Sequence, residues 1–260
     1  MCGKKTHQHP NKKETRVLEA RQLTKRYGER LALDALDLEI APGEVYCLVG
    51  ANGAGKTTTI SLFLNFISPT SGGAFVNGIC IAEDPALAKR HLAYIPETVS
   101  LYGQLTGMEN LDYFSTLAGC RLKKFDKLNL LKRAGLCSED ANRRAREYSK
   151  GMRQKVGIAI ALAKNANAIL MDEPTSGLDP QASNELSALV EQLGQQKTTV
   201  LMATHDLYRA KKVASNIGIM RQGRLVETVK PNEVSHAELE TIALRNMQLQ
   251  GGLKSSSPSR

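Results

Sequence analysis

The chain has 260 residues, 42% of them hydrophobic, and a formal net charge of +9. That is enough apolar material to bury a core in one large domain or two small ones, while no apolar run reaches the roughly 18 residues that a membrane-spanning helix needs. Six of the nine net charges sit at the ends, with five cations against one anion in residues 1–16 and two cations in residues 251–260, so the body is close to ordinary and no specific nucleic-acid partner is expected. The beginning, MCGKKTHQHPNKKET, is polar and lacks the apolar middle of a secretory signal. Cys2, Cys47, Cys80, Cys120 and Cys137 are scattered without CxxC spacing, as reduced thiols would be. These features predict a cytoplasmic protein with a disordered basic tail over residues 1–15 and a flexible one over residues 251–260.

In chain order, residues 18–24 (LEARQLT) read as a strand. In residues 36–40 (LDLEI), Leu36, Leu38 and Ile40 alternate with Asp37 and Glu39, the pattern of a sheet with one wet face. APGE is a turn, and residues 45–50 (VYCLVG) are apolar throughout, as in a strand buried on both faces. A helix is expected from Lys56 to Phe66, broken by SPTSGG, then a hairpin turning on Asn77-Gly78. Asp84-Pro85 opens a short helix, and residues 92–96 (LAYIP) form another strand. Lys, Arg, Leu and Ala then dominate, Thr106 and Glu109 offer a capping box, and the region of about 98–150 reads as a helical subdomain. Strand and helix alternate again afterwards: AIALA is helical, AILMD a buried strand, QASNELSALVEQL a helix and TTVLMATH a strand. A last helix within 231–250 begins at Ser235, with Glu238 as its capping partner, and buries Leu239, Ile242 and Ala243. The whole predicts an α/β fold with a mostly parallel central sheet and a helical insertion, spanning residues 17–230.

Two motifs carry chemistry. GANGAGKT, comprising Gly50, Ala51, Asn52, Gly53, Ala54, Gly55, Lys56 and Thr57, matches G-x-x-x-x-G-K-[ST] between a buried strand and a helix, with Thr58 next. Its glycines let backbone N–H groups turn inward to cradle phosphate oxygens, and the helix N-terminus adds partial positive charge there. Lys56 is placed to reach the β- and γ-phosphates of a nucleotide, and Thr57 to hold Mg²⁺. AILMDEP ends a buried strand on two acids, Asp172 suited to Mg²⁺ and Glu173 free to polarise an attacking water. Alone, that acid pair reads equally as a solvated strand end; the phosphate loop upstream decides between the two.

With these motifs in this order the chain resembles the ATP-binding subunit of an ABC transporter, over roughly residues 17–227. The resemblance implies a P-loop NTPase core with an antiparallel β subdomain, and ATP and Mg²⁺ as cofactors. It places Tyr27 of KRYG on the adenine, with a packing aromatic as the alternative reading of that residue. It places the glutamine loop at YIPE, with Glu97 where much of the family has Gln, touching Mg²⁺ or water. YSKGM, with Ser149, Lys150 and Gly151, stands where the family has its LSGGQ signature, with Lys150 and Met152 departing from it. Asp179 of SGLD reaches across a dimer, and His205 of ATHD contacts the γ-phosphate. In this family two ATP-binding domains pair head to tail, so YSKGMRQK is half of a site that its own chain cannot complete. Ser149 suits that role, since it can cap a helix starting near Gly151. The implied partners are a second ATP-binding subunit, in the simplest case another copy of this chain, and a separate transmembrane permease that holds the protein on the cytoplasmic face of the membrane. Val99, Leu101, Tyr102 and Leu105 read either as an apolar groove for that permease or as core. The wording YIPE…LY…LTG.ENL resembles ATPases paired with type-2 permeases, often exporters. A soluble single-domain ABC ATPase in a non-transport assembly is the alternative.

Overall fold

The computed structural model describes residues 16–248. Strands β1 (Leu18–Tyr27) and β2 (Arg30–Ile40) form an antiparallel pair, each longer than its alternating segment alone indicated. In β2 the expected alternation holds, with Leu36, Leu38 and Ile40 buried and Asp37 and Glu39 exposed. Strand β3 (Val45–Val49) leads into helix α1 (Lys56–Phe63). That helix ends before Phe66 because Asn65 adopts φ 51°, and its N–H and that of Phe66 bond back to the carbonyls of Leu62 and Ser61. This is the terminating pattern that asparagine tolerates in left-handed backbone. Strands β4 (Ser71–Val76) and β5 (Ile79–Cys80) close a hairpin on Asn77 and Gly78, both at positive φ as a tight twisted turn requires. Helix α2 (Pro85–Arg90) is capped by Asp84, and strand β6 (Leu92–Ile95) follows.

Helices α3 (Gly107–Leu117), α4 (Lys124–Arg133) and α5 (Ser138–Ala141) and a 3-10 turn at Ala145–Glu147 occupy the next stretch, before the longer α6 (Lys150–Ala163). The Thr106–Glu109 capping box forms in both directions at the start of α3. Strand β7 (Ala168–Asp172), helix α7 (Pro180–Gln195) and strand β8 (Thr199–Thr204) come next. Then follow three elements that no sequence pattern announced: α8 (Leu207–Val213), β9 (Asn216–Arg221) and β10 (Arg224–Val229). The β9–β10 turn places Gln222 at φ 49° beside Gly223, a conformation that glutamine rarely signals. Helix α9 (His236–Gln248) starts on the Ser235–Glu238 capping pair and buries Leu239 and Ala243, with Ile242 half-buried.

One sheet is four-stranded and antiparallel, in the order β2-β1-β4-β5. The other has six strands in the order β10-β9-β3-β8-β7-β6, parallel throughout except for the β10 edge. The central strands divide two cores by the period of two. Cys47, Met171 and Met202 face the α3, α6 and α7 side, whereas Leu48, Leu170 and Leu201 face α1 and the antiparallel sheet. Continuous apolar strands follow from that double burial. The C-terminal ends of β3, β7 and β8 then converge on the loops that carry Gly50, Glu173 and His205, the usual place for a ligand in a parallel sheet.

Candidate nucleotide site

The phosphate loop runs from the end of β3 to the first turn of α1. A Cβ on Gly50 would lie 2.4 Å from the Met220 carbonyl oxygen, and Gly55 sits at φ 111° with Ala32 O only 2.9 Å from where its Cβ would be. Only glycine fits either place. Lys56 follows and is 5% exposed. Its Nζ donates to the carbonyls of Gly50 (2.7 Å) and Ala51 (3.4 Å), and stands 3.6 Å from Glu173 Oε1. A cleft of about 290 Å³ opens beside it, lined by Asn52 to Thr58 and by Glu97, Asp172 and Glu173. The first-turn N–H groups of a helix lack helical acceptors and carry the positive end of its dipole, and α1 has no acid in that turn to compete for them.

Asp172 ends β7, 7% exposed, and its Oδ1 accepts a hydrogen bond from Thr57 Oγ1 at 3.1 Å. Burial pushes its carboxyl above the usual aspartate range, while the Thr57 hydrogen bond and the Lys56 ammonium pull it back and Glu173 and Glu97 push it further up. A carboxylate and a hydroxyl in contact at the edge of a phosphate cleft are hard oxygen donors, the chemistry that suits Mg²⁺. Glu173 follows at φ 43°, in left-handed backbone that a side chain enters at a cost of about 1–2 kcal/mol. Its N–H donates to Ala203 O, and its carboxylate is held from two sides: Oε1 faces Lys56, and Oε2 accepts from His205 Nδ1 at 2.9 Å. His205 lies just past β8, with its side chain 62% exposed. Glu97, two residues past β6, turns its Oε1 to accept from Ser176 Oγ at 2.8 Å.

Lys56, Thr57, Thr58, Glu97, Asp172 and Glu173 therefore meet in one cleft, with His205 bonded to its edge. Tyr27 is half exposed, lies beneath the Lys25 ammonium, and pairs in register with Arg30. Arg30, from the β1–β2 hairpin, lines the cleft, and nothing local marks it in the sequence. Ser149, Lys150, Gly151 and Asp179 line no part of this cleft. Ser149 caps α6 by accepting from the Met152 N–H, which moves the helix start to Lys150, one residue ahead of the expected position. Asp179 caps α7 by accepting from the Ala182 N–H at 2.8 Å. Of the apolar residues following Glu97, Val99 is core, packed against Gly157. Leu101 also packs against the core. Tyr102 is half exposed, in edge-on contact with Tyr113 and stacked on Phe114.

A phosphate loop on a parallel sheet, with a lysine, an acid pair and a histidine at the strand ends, defines a P-loop nucleotide-binding protein. Residues 33–176 match the ABC transporter family. Over 219 residues the chain is 32% identical to the probable multidrug ABC transporter ATP-binding protein YbhF of Escherichia coli strain K12, covering 84% of this chain and 38% of that one. It is 34% identical to the bacitracin transport ATP-binding protein BcrA of Enterococcus faecalis, covering 84% of this chain and 70% of that one. The ATP-binding cassette MJ0796, solved as a dimer in a post-hydrolysis state with ADP and Pi, superposes with a TM-score of 0.73 at 26% identity, covering 82% of this chain and 98% of that one. The chain belongs to the ABC transporter family, as one of its ATP-binding cassettes.

Proposed function

We propose that this chain hydrolyses ATP and thereby drives a separate membrane permease, in the direction of export. The observation that carries the reading is the setting of Glu173, pinned between the Lys56 ammonium and the His205 imidazole at the mouth of the phosphate cleft. Lys56 and the α1 N-terminus bind the phosphates, and Arg30 adds a cation at the same cleft. Glu173 takes up the proton of the attacking water, while His205 orients that carboxylate and faces the γ-phosphate. Thr57, Asp172 and Glu97 would hold Mg²⁺, which when bound neutralises charge on the β- and γ-phosphate oxygens. Ser149, Lys150 and Gly151 lie outside this cleft, which supports their serving the nucleotide of a second copy, with Asp179 reaching towards it.

Among the described residues no helix is long and apolar enough to cross a membrane, so the membrane-spanning part of the transporter is a separate chain or lies outside these residues. A groove of about 270 Å³ between the sheet core and the helical region, mostly apolar with Lys89 and Lys164 in its lining, supports permease docking. Phe66, 62% exposed and edge-on to Tyr94, stands in it with Leu64, Leu92, Ala118 and Ile160. The names of YbhF and BcrA, which refer to multidrug and bacitracin transport, support transport, and that of the Nod factor export ATP-binding protein I of Cupriavidus metallidurans, 33% identical over 227 residues, supports export.

The test is the mass of Glu173→Gln by light scattering, with and without Mg-ATP. The variant is expected to bind ATP, not to turn it over, and to pass from monomer to dimer when ATP is added. Turnover equal to that of the unaltered chain would remove Glu173 as the base, and a monomer under both conditions would remove the shared site from the isolated chain.

A further inference from the structure

Gln154, in the second turn of α6, is 2% exposed, yet its side chain bonds to nothing on its own helix. Its Nε2 donates to the carbonyl of Pro174 at 3.1 Å and, at the longer distance of 3.4 Å, to that of Pro96. Pro174 directly follows Glu173, and Pro96 directly precedes Glu97. The Pro96 carbonyl belongs to the peptide unit that contains the Glu97 nitrogen, and proline rings hold both segments stiffly. One amide therefore bonds the backbone beside each of Glu173 and Glu97 in the phosphate cleft, and the Ser176–Glu97 hydrogen bond links the same two loops a second time. The amide's other end, Oε1, is buried with no partner among the described residues. A buried unpaired acceptor is unfavourable, and a methionine of the same length would avoid it, so what the amide contributes here is its pair of donors.

Gln154 is five residues along α6 from Ser149, about 7.5 Å down one rigid helix. A shift of α6 as one body would move Gln154 with Ser149 and so bear on the two carbonyls that Gln154 bonds. We propose that Gln154 is a positioning residue through which the signature half-site at the start of α6, when it engages the partner copy's nucleotide, sets the placement of Glu97 and Glu173 over the chain's own nucleotide. This inference rests on the ATPase reading above and adds to it a physical link between the two sites of a dimer.

The test uses the full chain with Gln154→Met, which keeps length and helix propensity but removes both donors, and Gln154→Glu. Thermal melting confirms that each variant is folded, and Gln154→Leu replaces the methionine variant should that one not fold. Gln154→Met is expected to lower kcat about 10- to 100-fold, the scale of a misplaced catalytic group, with KM for ATP within about threefold. In Gln154→Glu burial raises the carboxyl pKa, so at lower pH the protonated acid has an O–H to donate to Pro174. Its activity relative to the unaltered chain is therefore expected to rise severalfold between about pH 8 and pH 6. Gln154→Met turning over within about twofold of the unaltered chain overturns the proposal. Parallel losses of kcat and nucleotide affinity, with a flat Gln154→Glu ratio, also overturn it and leave a packing role. Glu173→Gln run alongside separates the two levels: if it turns over like the unaltered chain, the ATPase reading itself has failed.

Discussion

At the scale of single residues, the cleft is built around one buried cation and three carboxylates. Among the described residues Lys56 is the only lysine lining it, so Lys56→Ala is expected to weaken ATP binding about 10- to 100-fold, the worth of one or two charge-assisted hydrogen bonds. Isothermal titration calorimetry measures this, and unchanged affinity would take Lys56 off the phosphates. Asp172 makes the opposite kind of prediction. Its folded carboxyl titrates above the unfolded value of about 3.9 because burial disfavours the anion. The folded chain thus holds the proton over a range where the unfolded chain has lost it, and stability falls as pH rises through that window. Asp172→Asn is expected to raise the melting temperature of the nucleotide-free chain at neutral pH, with the gain shrinking as pH drops towards the unfolded carboxyl range. A melting temperature that falls at neutral pH would show that the Thr57 contact outweighs the burial. The residues legible in the sequence are those whose chemistry is spelled by immediate neighbours: Lys56 within the glycine loop, Glu173 after an apolar run, and His205 at a strand end. Arg30 and the Gln154 contacts were not legible, because a hairpin brings Arg30 to the cleft and a helix face brings Gln154 to the carbonyls of Pro96 and Pro174, from chain positions with no distinguishing pattern.

At the scale of elements, side-chain caps place the working groups. Ser149, Asp179 and Asp206 each accept from the N–H three residues on, and each opens a helix next to a functional loop. Ser149→Ala is expected to cost about 1 kcal/mol of stability through the lost cap. Ser149→Asp keeps the cap but sets a negative charge where a phosphate is to dock. In a Glu173→Gln background that aspartate variant should fold normally and fail to dimerise with ATP, as read by light scattering; an intact ATP-driven dimer would place the signature elsewhere. The capping boxes at Thr106 and Ser235, the double burial of β3 and β7 and the Asn77-Gly78 hairpin were all legible, since each depends on local geometry. The end of α1 and the β9–β10 pair were not. Asn65 ends a helix two residues past Phe63 in a stretch that otherwise reads as helical, and Gln222 occupies a turn position usually filled by asparagine or aspartate.

At the scale of the whole molecule, the Ser149–Gly151 turn proposed as the signature lines no part of the cleft, and the groove beside Phe66 and Tyr94 forms a third surface. Phe66→Asp is expected to leave ATP affinity unchanged and to abolish co-purification with a polytopic membrane protein, since it removes the exposed ring and sets a charge where docking would exclude water. Retained co-purification would move the docking surface to another face, such as the Tyr102–Tyr113 patch. The central sheet has a consequence for how the chain tolerates change. Residues adjacent in sequence, such as Leu170 and Met171, sit in different cores, whereas Met171 and Met202, paired in register, share one. Mutational epistasis in this protein should therefore follow the pleat and not the chain. A double-mutant cycle between Met171 and Met202 is expected to show coupling of about 0.5–3 kcal/mol, and one between Leu170 and Met171 less than about 0.5 kcal/mol. Each strand thus carries two interleaved substitution histories, and the two faces can drift independently while sharing one backbone.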